Sequence, residues 1–114
     1  MRAISVSVLC LAATLAAPSA SAKADAFYCY WVDAPAKTAG VTAIFPGSRL
    51  KQKSITGVFS ADMQRQQPNR GRKYECPWKA EPEDADEERA DWVATHEHLG
   101  FRVMPLTWNP MTRR

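Results

Sequence analysis

This 114-residue chain lacks any long apolar run beyond its first 22 residues. Within those, Arg2 is followed by an apolar run over residues 3–17 and then by the small triplet 20–22. About fifteen apolar residues are too few for a membrane-spanning helix, which needs roughly 20. The order of features is typical of a bacterial Sec-type signal peptide over residues 1–22. We therefore predict export to the periplasm or outside the cell, with no membrane span after cleavage.

Cysteine is scarce, with three in the whole chain. Cys10 lies in the middle of the apolar run rather than at its end, which disfavours a lipid anchor, and it is removed with the signal. The two that remain, Cys29 and Cys76, are an even number in a small exported domain, a pattern typical of a disulfide. A zinc site is disfavoured because it needs closely paired ligands. A catalytic thiol would need an activating base and a reducing compartment.

Sequence motifs for catalysis are also missing. No serine after the signal lies in a Gly-x-Ser-x-Gly turn, and no glycine pattern suits a phosphate. The only two histidines, His96 and His98, are the sole candidates for a general base near neutral pH. Residues two apart on a helix point about 200° from each other, so these imidazoles cannot share one ion. We predict no enzymatic activity, metal or cofactor; the alternative is a small hydrolase or metal protein that uses His96 and His98.

Charge is nearly balanced overall but unevenly distributed. One of the 15 basic residues leaves with the signal, so 14 remain against 12 acidic residues. Residues 49–73 contain seven basic residues and one acidic residue, whereas residues 81–91 contain seven acidic residues and one basic residue. The first segment is either a set of solubilising loops or a basic surface suited to an acidic protein or an anionic envelope polymer. Export argues against nucleic acid as the partner.

Hydrophobic periodicity predicts a mixture of strands and helices. Both faces of a strand over 26–32 are apolar or aromatic, so we expect that strand to be covered on both sides. A loop over 33–40 follows it. The further predicted elements, in chain order, are short strands over 41–47 and 55–61, a short helix from Ser60 to Gln67, a strand over 73–78 that lies at a sheet edge or ends at Pro77, a long helix over 81–99, and a strand over 101–108 in which Pro105 marks an edge or a bulge.

The long helix has the clearest signals. Pro82 and several acidic residues suit its start, where the helix dipole favours negative charge. Asp84 and Glu87 resemble a capping box, and Gly100 suits the residue that ends the helix. Together the elements predict a small single α+β domain over 23–108, followed by a flexible tail over 109–114. We expect one mixed or antiparallel sheet of about four to five short strands, with one long and one short helix on one face, and one disulfide.

The four tryptophans suggest where such a domain binds. Trp92 lies on the apolar stripe of the long helix and belongs in the core. Trp78 and Trp108 lie at strand ends, where we expect half-exposed rings. An exposed tryptophan near a cation suits a protein hot spot and sugar stacking equally well. The candidate binding residues are therefore Arg49, Lys51, Arg70, Arg72, Trp78 and Trp108.

The stretch ADEERADWVATHEHLGFRVMPL, residues 85–106, is a helix, a glycine and a strand in succession. It resembles the second half of SPOR-type domains, which bind septal peptidoglycan, and the resemblance implies a glycan-binding module. No SPOR binding residue is matched. From the residues themselves we expect a small exported, disulfide-stapled, non-enzymatic binding protein, of the inhibitor or immunity type. Its expected partner is another envelope or extracellular protein, and peptidoglycan is the alternative.

Overall fold

The computed structural model describes residues 23–68 and 71–112. The predicted signal peptide over 1–22 and the candidate Arg70 lie outside the described residues. The elements, in chain order, are β1 (Asp25–Phe27), β2 (Tyr30–Asp33), β3 (Thr38–Thr42), β4 (Phe45–Gly47), a 3₁₀ turn (Arg49–Lys51), α1 (Gln52–Gln66), β5 (Lys73–Glu75), β6 (Trp78–Lys79), α2 (Pro82–His98) and β7 (Arg102–Leu106). Within the described residues, no helix is long and apolar enough to cross a membrane.

The described strands form two small sheets. One has the order β4-β1-β6 and is antiparallel; the other has the order β5-β2-β3-β7, with β3 and β7 parallel. The predicted α+β class with one disulfide is confirmed, although the strands divide between two sheets instead of forming one. The first helix, α1, is also longer than predicted, with 15 residues.

Two neighbouring strands are each interrupted at matching positions, and the two halves of each strand belong to different sheets. The strand expected over 26–32 is interrupted after Phe27, and the strand expected over 73–78 is interrupted at Pro77. The register is the same on both sides of the break, since Phe27 pairs with Trp78 and Tyr30 pairs with Glu75. Pro77 has no N–H to donate, which explains why the ladder stops there. The edge position predicted from Pro77 is confirmed, because β5 and β6 are both edge strands.

On its other side, the interrupted strand is bonded to Thr42, the last residue of β3, partly through the threonine side chain. The Cys29 N–H donates to Thr42 Oγ1 at 3.0 Å, and the Thr42 N–H donates to the Cys29 carbonyl at 2.9 Å. The chain has one more residue here on the β3–β4 side than on the β1–β2 side, as in a β-bulge. The hydroxyl of Thr42 therefore takes the place of a backbone acceptor where the sheet bends.

The two helices lie on opposite faces of the strands, which corrects the expectation that they share one face. Phe27, Cys29 and Trp31 belong to a core that also contains Phe59 and Met63 of α1. On the other face, the Tyr30 ring lies 4.5 Å from the Trp92 ring of α2, and the Tyr28 hydroxyl donates to Glu88 at 2.7 Å. Because side chains alternate along this strand, one set packs against α1 and the other against α2, so both faces are covered, as predicted.

The strand predicted over 55–61 is wrong, because these residues form the middle of α1. The β-branched residues Ile55, Thr56 and Val58 favour a strand locally. Ile55, Phe59 and Met63, however, are spaced four apart and pack against one core, which is the helical period. The helix also begins well before Ser60, after a 3₁₀ turn capped by Ser48, whose Oγ accepts the Leu50 N–H at 3.2 Å. Burial of the apolar stripe overrides the local preference.

The long helix and the final strand are confirmed. Pro82 occupies the first turn of α2, and Gly100 ends the helix with φ of +91°, a conformation that favours glycine. The expected capping box is not formed, since the cap residue is Glu81 and makes no side-chain cap bond. In the four-stranded sheet β7 is an edge strand, as Pro105 predicted.

Candidate binding surface

The structure divides the candidate binding residues into two groups. Arg49, Lys51 and Trp78 come together at the turn that precedes α1. Arg72 and Trp108 belong to a separate region around the second half of α1. The two groups therefore do not form one surface.

Arg49 is fixed by a carboxylate and by an aromatic ring. Its guanidinium donates to both oxygens of Asp25, at 2.7 Å from Nη2 and 3.2 Å from Nε, and its backbone N–H donates to the same carboxylate at 2.8 Å. The hydrogen bonds from Arg49 lower the pKa of Asp25. The bonds from its side chain have the larger effect and the bond from its backbone N–H the smaller. The guanidinium also lies over Trp78, 4.1 Å from the ring centroid. Arg49 thus holds the turn against the three-stranded sheet.

Residues 48–51, here called the Leu50 turn, are fixed in their backbone as well. Ser48 accepts the N–H groups of Leu50 through its hydroxyl and of Lys51 through its carbonyl, the latter at 2.8 Å. Directly after the turn, the Gln52 side chain donates to the carbonyl of Cys76 at 2.9 Å. The Leu50 turn is therefore tied to the disulfide-bearing strand on one side and to Asp25 on the other.

Leu50 itself projects from this anchored turn. Its exposure is 92%, the largest among the exposed large apolar side chains of the described residues. The sequence did not predict this exposed leucine as a binding residue, because the pattern of the segment is dominated by the cations around it. The available signal was a single leucine between Arg49 and Lys51 in an otherwise polar segment. One exposed leucine is ordinary on a protein surface, but this one stands on a backbone held by several hydrogen bonds.

The charges around the Leu50 turn oppose the helix dipole. The structure describes every residue of the first turn of α1, and none of them is acidic. Lys51 and Lys53 are exposed at this end of the helix. The amino end of a helix carries a partial positive charge and is stabilised by negative groups. Two lysines at this end are therefore mildly unfavourable, and the Asp25 carboxylate, which accepts the Arg49 N–H at the start of the preceding 3₁₀ turn, offsets part of that effect.

The Arg72 guanidinium packs within the domain and does not lie free at the surface. Its side chain is only 10% exposed, lies over Trp31 at 3.7 Å from the ring centroid, and approaches Asp33 at 3.9 Å. It also donates to the Gln67 side chain at 2.8 Å. A guanidinium covered in this way is poorly available to a partner.

Trp108 is buried, with 9% exposure, so the expectation of a half-exposed ring is wrong. Its indole N–H donates to Asp62 at 2.7 Å, and the ring packs against Phe59 and Phe45. Asp62, the one acidic residue in the basic segment, is 3% exposed and also accepts from Arg65. Burial of Asp62 leaves the exposed charges of α1 entirely positive.

Trp78 is half-buried, and Arg49 covers one face of its ring. The same ring packs against the hydrophobic core. A sugar stacks on an aromatic ring only where a ring face is free, so neither Trp78 nor the buried Trp108 offers a ready platform for glycan.

The two histidines of α2 lie in different surroundings. The His96 ring lies at a tilt of 33° against the Trp92 ring, with 4.1 Å between the ring centroids, and its Nδ1 lies 2.8 Å from the Trp92 carbonyl oxygen. His98 is exposed. Within residues 23–68 and 71–112, no group of three or more His, Cys, Asp or Glu side chains is placed to hold a metal ion.

No protein-family model, curated protein or solved structure matches this chain.

Proposed function

We propose that this protein is a small exported, non-enzymatic binding domain that docks on another envelope or extracellular protein through the Leu50 turn. The observation that carries this proposal is the 92% exposure of Leu50 on a turn anchored by Asp25 and Ser48. Burial of a leucine side chain contributes about 1.5–3 kcal/mol. Because the turn is already ordered, little conformational entropy is lost when it binds.

Export is supported by the disulfide. Cys29 and Cys76 are bonded, and disulfides persist mainly in oxidising compartments such as the periplasm and the extracellular space. A small disulfide-containing domain whose described part has no membrane-spanning helix fits an exported protein. The sequence features of residues 1–22 point the same way.

The shape of the turn indicates how it engages a partner. Arg49–Lys51 are in a 3₁₀ conformation, whereas a peptide bound as a protease substrate is extended. The Leu50 turn is therefore shaped to insert the Leu50 side chain into a pocket of the partner. It is not an extended segment of the kind that a protease cleaves. A domain that fills such a pocket can act as an inhibitor or as an immunity-type protein, because it blocks access for other molecules.

Photo-crosslinking tests the proposal directly. A photoreactive amino acid replaces Leu50 in one exported, oxidised sample and Met111, which is 79% exposed, in a control sample. Both are irradiated in a cell-envelope extract, and adducts are identified by mass spectrometry. We expect one dominant protein adduct from position 50 that position 111 does not give. That protein is then purified and its affinity for the wild-type domain is measured.

A pair of variants completes the test. Leu50→Ala is expected to weaken binding of the purified partner at least tenfold, whereas Leu99→Ala, at another exposed leucine, leaves it unchanged. Replacement of the exposed His98 by alanine is expected to have no effect, in contrast to a protein that acts through its histidines. Equal adducts from positions 50 and 111, or equal affinities of the two leucine variants, would overturn the proposal.

A further inference from the structure

An apolar cavity of about 310 Å³ lies where the start of β1, β4 and the first residue of α2 meet. Its apolar lining consists of Ala24, Ala26, Ile44, Phe45, Pro46 and Pro82. At a liquid volume of about 30 Å³ per water, this space corresponds to roughly ten waters, so it has room for the side chain of a leucine. Docking of Leu50 on an envelope protein gives this cavity no role. A cavity with such a lining suits one apolar side chain from another molecule.

The rim of this cavity is acidic. Lys23 lines the cavity and donates a hydrogen bond to the Glu81 carboxylate. This bond raises the pKa of Lys23, and the nearby charge of Glu83 adds to the effect. One cation against two carboxylates leaves a net negative charge at the rim. Further exposed carboxylates follow in the first half of α2, namely Asp84, Asp86 and Glu87.

The Leu50 turn has the opposite charge and the matching shape. Leu50 is 92% exposed, so it does not enter the cavity of its own molecule. Lys51 and Lys53 are exposed close to it in sequence. Complementary charges attract and orient two surfaces that also fit in shape. The chain therefore carries both halves of one contact: an apolar side chain among cations, and an apolar cavity among carboxylates.

We propose that the free protein self-associates, with Leu50 of one copy inserted into the apolar cavity of a second copy and with Lys51 and Lys53 facing the acidic rim of that cavity. The anchored turn presents the leucine with little loss of conformational entropy. High salt weakens the contact, because exposed charges are screened at high ionic strength. This inference goes beyond the proposed function, since it concerns the protein alone. The second copy covers the same leucine, and an envelope protein has to displace it.

Crosslinking between two distinguishable copies tests where the contact lies. Purified, oxidised protein over residues 23–114 with a photoreactive amino acid at position 50 is mixed with isotope-labelled wild type, so an adduct between two molecules has a mixed mass. We expect such adducts, attached to the second copy at residues 23–26, at residues 44–46 or at Pro82. The same amino acid at the exposed Met111 should give none of them. Adducts at other sites only, or none, would overturn the inference.

Two variants that each keep one half of the contact provide the decisive measurement. Leu50→Ala removes the inserted side chain, and Ala24→Trp fills the cavity from an exposed position. In sedimentation at increasing concentration we expect the wild type to self-associate and each variant alone to do so at least tenfold more weakly. A mixture of the two should recover association, because one variant supplies Leu50 and the other an open cavity. Ala94→Trp, which adds the same ring at an exposed position of α2, should behave as the wild type.

The outcomes separate this inference from the proposed function. A wild type that stays monomeric at every concentration, or a mixture that recovers nothing, overturns the self-contact. Both samples contain the purified protein alone, so that result leaves the envelope partner of the proposed function intact. Equal adducts from positions 50 and 111 in the envelope extract, in contrast, overturn the proposed function and leave the self-contact intact.

Discussion

Cys29 and Cys76 face each other at the position where both of their strands pass from one sheet to the other. Their Cα atoms are 4.0 Å apart, and the register of the flanking pairs, Phe27 with Trp78 and Tyr30 with Glu75, makes them direct cross-strand partners. Both are buried. The disulfide thus supplies a covalent link where Pro77 interrupts the hydrogen-bond ladder.

Removal of this link should be strongly destabilising. The two cysteines are separated by 47 in sequence. Closing a loop of this length stabilises the folded state by about 4 kcal/mol in the chain-entropy description. Domains of this size have only about 5–15 kcal/mol of total stability. We expect Cys29→Ala/Cys76→Ala to lose about 4 kcal/mol of its free energy of unfolding in urea titrations at unchanged pH. Wild-type protein over residues 23–114, isolated oxidised and unfolded without reductant, should contain no free thiol; two free thiols would contradict the bond.

The disulfide and the two covered faces could be predicted from sequence because their signals are local or countable. A pair of cysteines has one possible intramolecular pairing, and aromatic residues on both faces of a strand require cover on both sides. The long helix had a proline start and a glycine end. These features do not depend on which distant segment packs nearby.

The first helix and the Leu50 turn could not be predicted, for two different physical reasons. Residues 55–61 have β-branched side chains whose local preference is overridden by packing of Ile55 and Phe59 on the core. The prominence of Leu50 depends on the local cap at Ser48 and on contacts between Arg49 and Asp25, which are 24 residues apart in sequence and therefore give no local signal. Trp108 was misplaced because its buried hydrogen-bond acceptor, Asp62, lies 46 residues away.

Gly40 should be intolerant of even one added carbon. Its Cβ would lie 2.6 Å from Trp31 Nε1 and 2.7 Å from another atom of the same indole, which is 2% exposed and held by Arg72 on its ring face. Overpacking of a well-filled core typically costs 1–3 kcal/mol. We expect Gly40→Ala to lower stability by about that amount in thermal or urea unfolding. The matched control, Gly57→Ala, should instead gain up to about 1 kcal/mol; equal effects at the two sites would refute the packing argument.

The hydrogen bond between Trp108 and Asp62 should contribute measurably to stability. Trp108→Phe keeps an aromatic ring in the core but removes the N–H that donates to a carboxylate of 3% exposure. Hydrogen bonds to charged groups contribute about 1.5–3 kcal/mol. We expect a loss of that order from Trp108→Phe in the wild-type background.

A double-mutant cycle isolates this bond from the change in ring size. In an Asp62→Ala background the acceptor is absent, so Trp108→Phe should cost at least about 1 kcal/mol less than in the wild type. The cost of the smaller ring is common to both backgrounds and cancels. Identical costs in the two backgrounds would show that the hydrogen bond makes no net contribution.

Glu88 should make the domain sensitive to acid. Lys79 donates to one oxygen of its carboxylate at 2.8 Å and the Tyr28 hydroxyl to the other at 2.7 Å, and these contacts, Lys79 first, lower the pKa of Glu88 from its usual value of 4.5. The unfolded chain therefore takes up this proton at a higher pH than the folded one. The stabilisation is present above about pH 4.5 and is lost as the pH falls through the lower folded pKa.

Melting temperatures measured between pH 6 and pH 3 test this effect. Glu88→Gln keeps an acceptor for Tyr28 but cannot gain a proton in this range, so its melting temperature should be lower than that of the wild type at pH 6 and should fall less steeply toward pH 3. Glu87→Gln, at the exposed neighbouring residue, removes the same formal charge from α2. Its pH profile should stay parallel to the wild type. If the two variants had the same profile, the acid sensitivity would come from overall charge and not from the contacts of Glu88 with Lys79 and Tyr28.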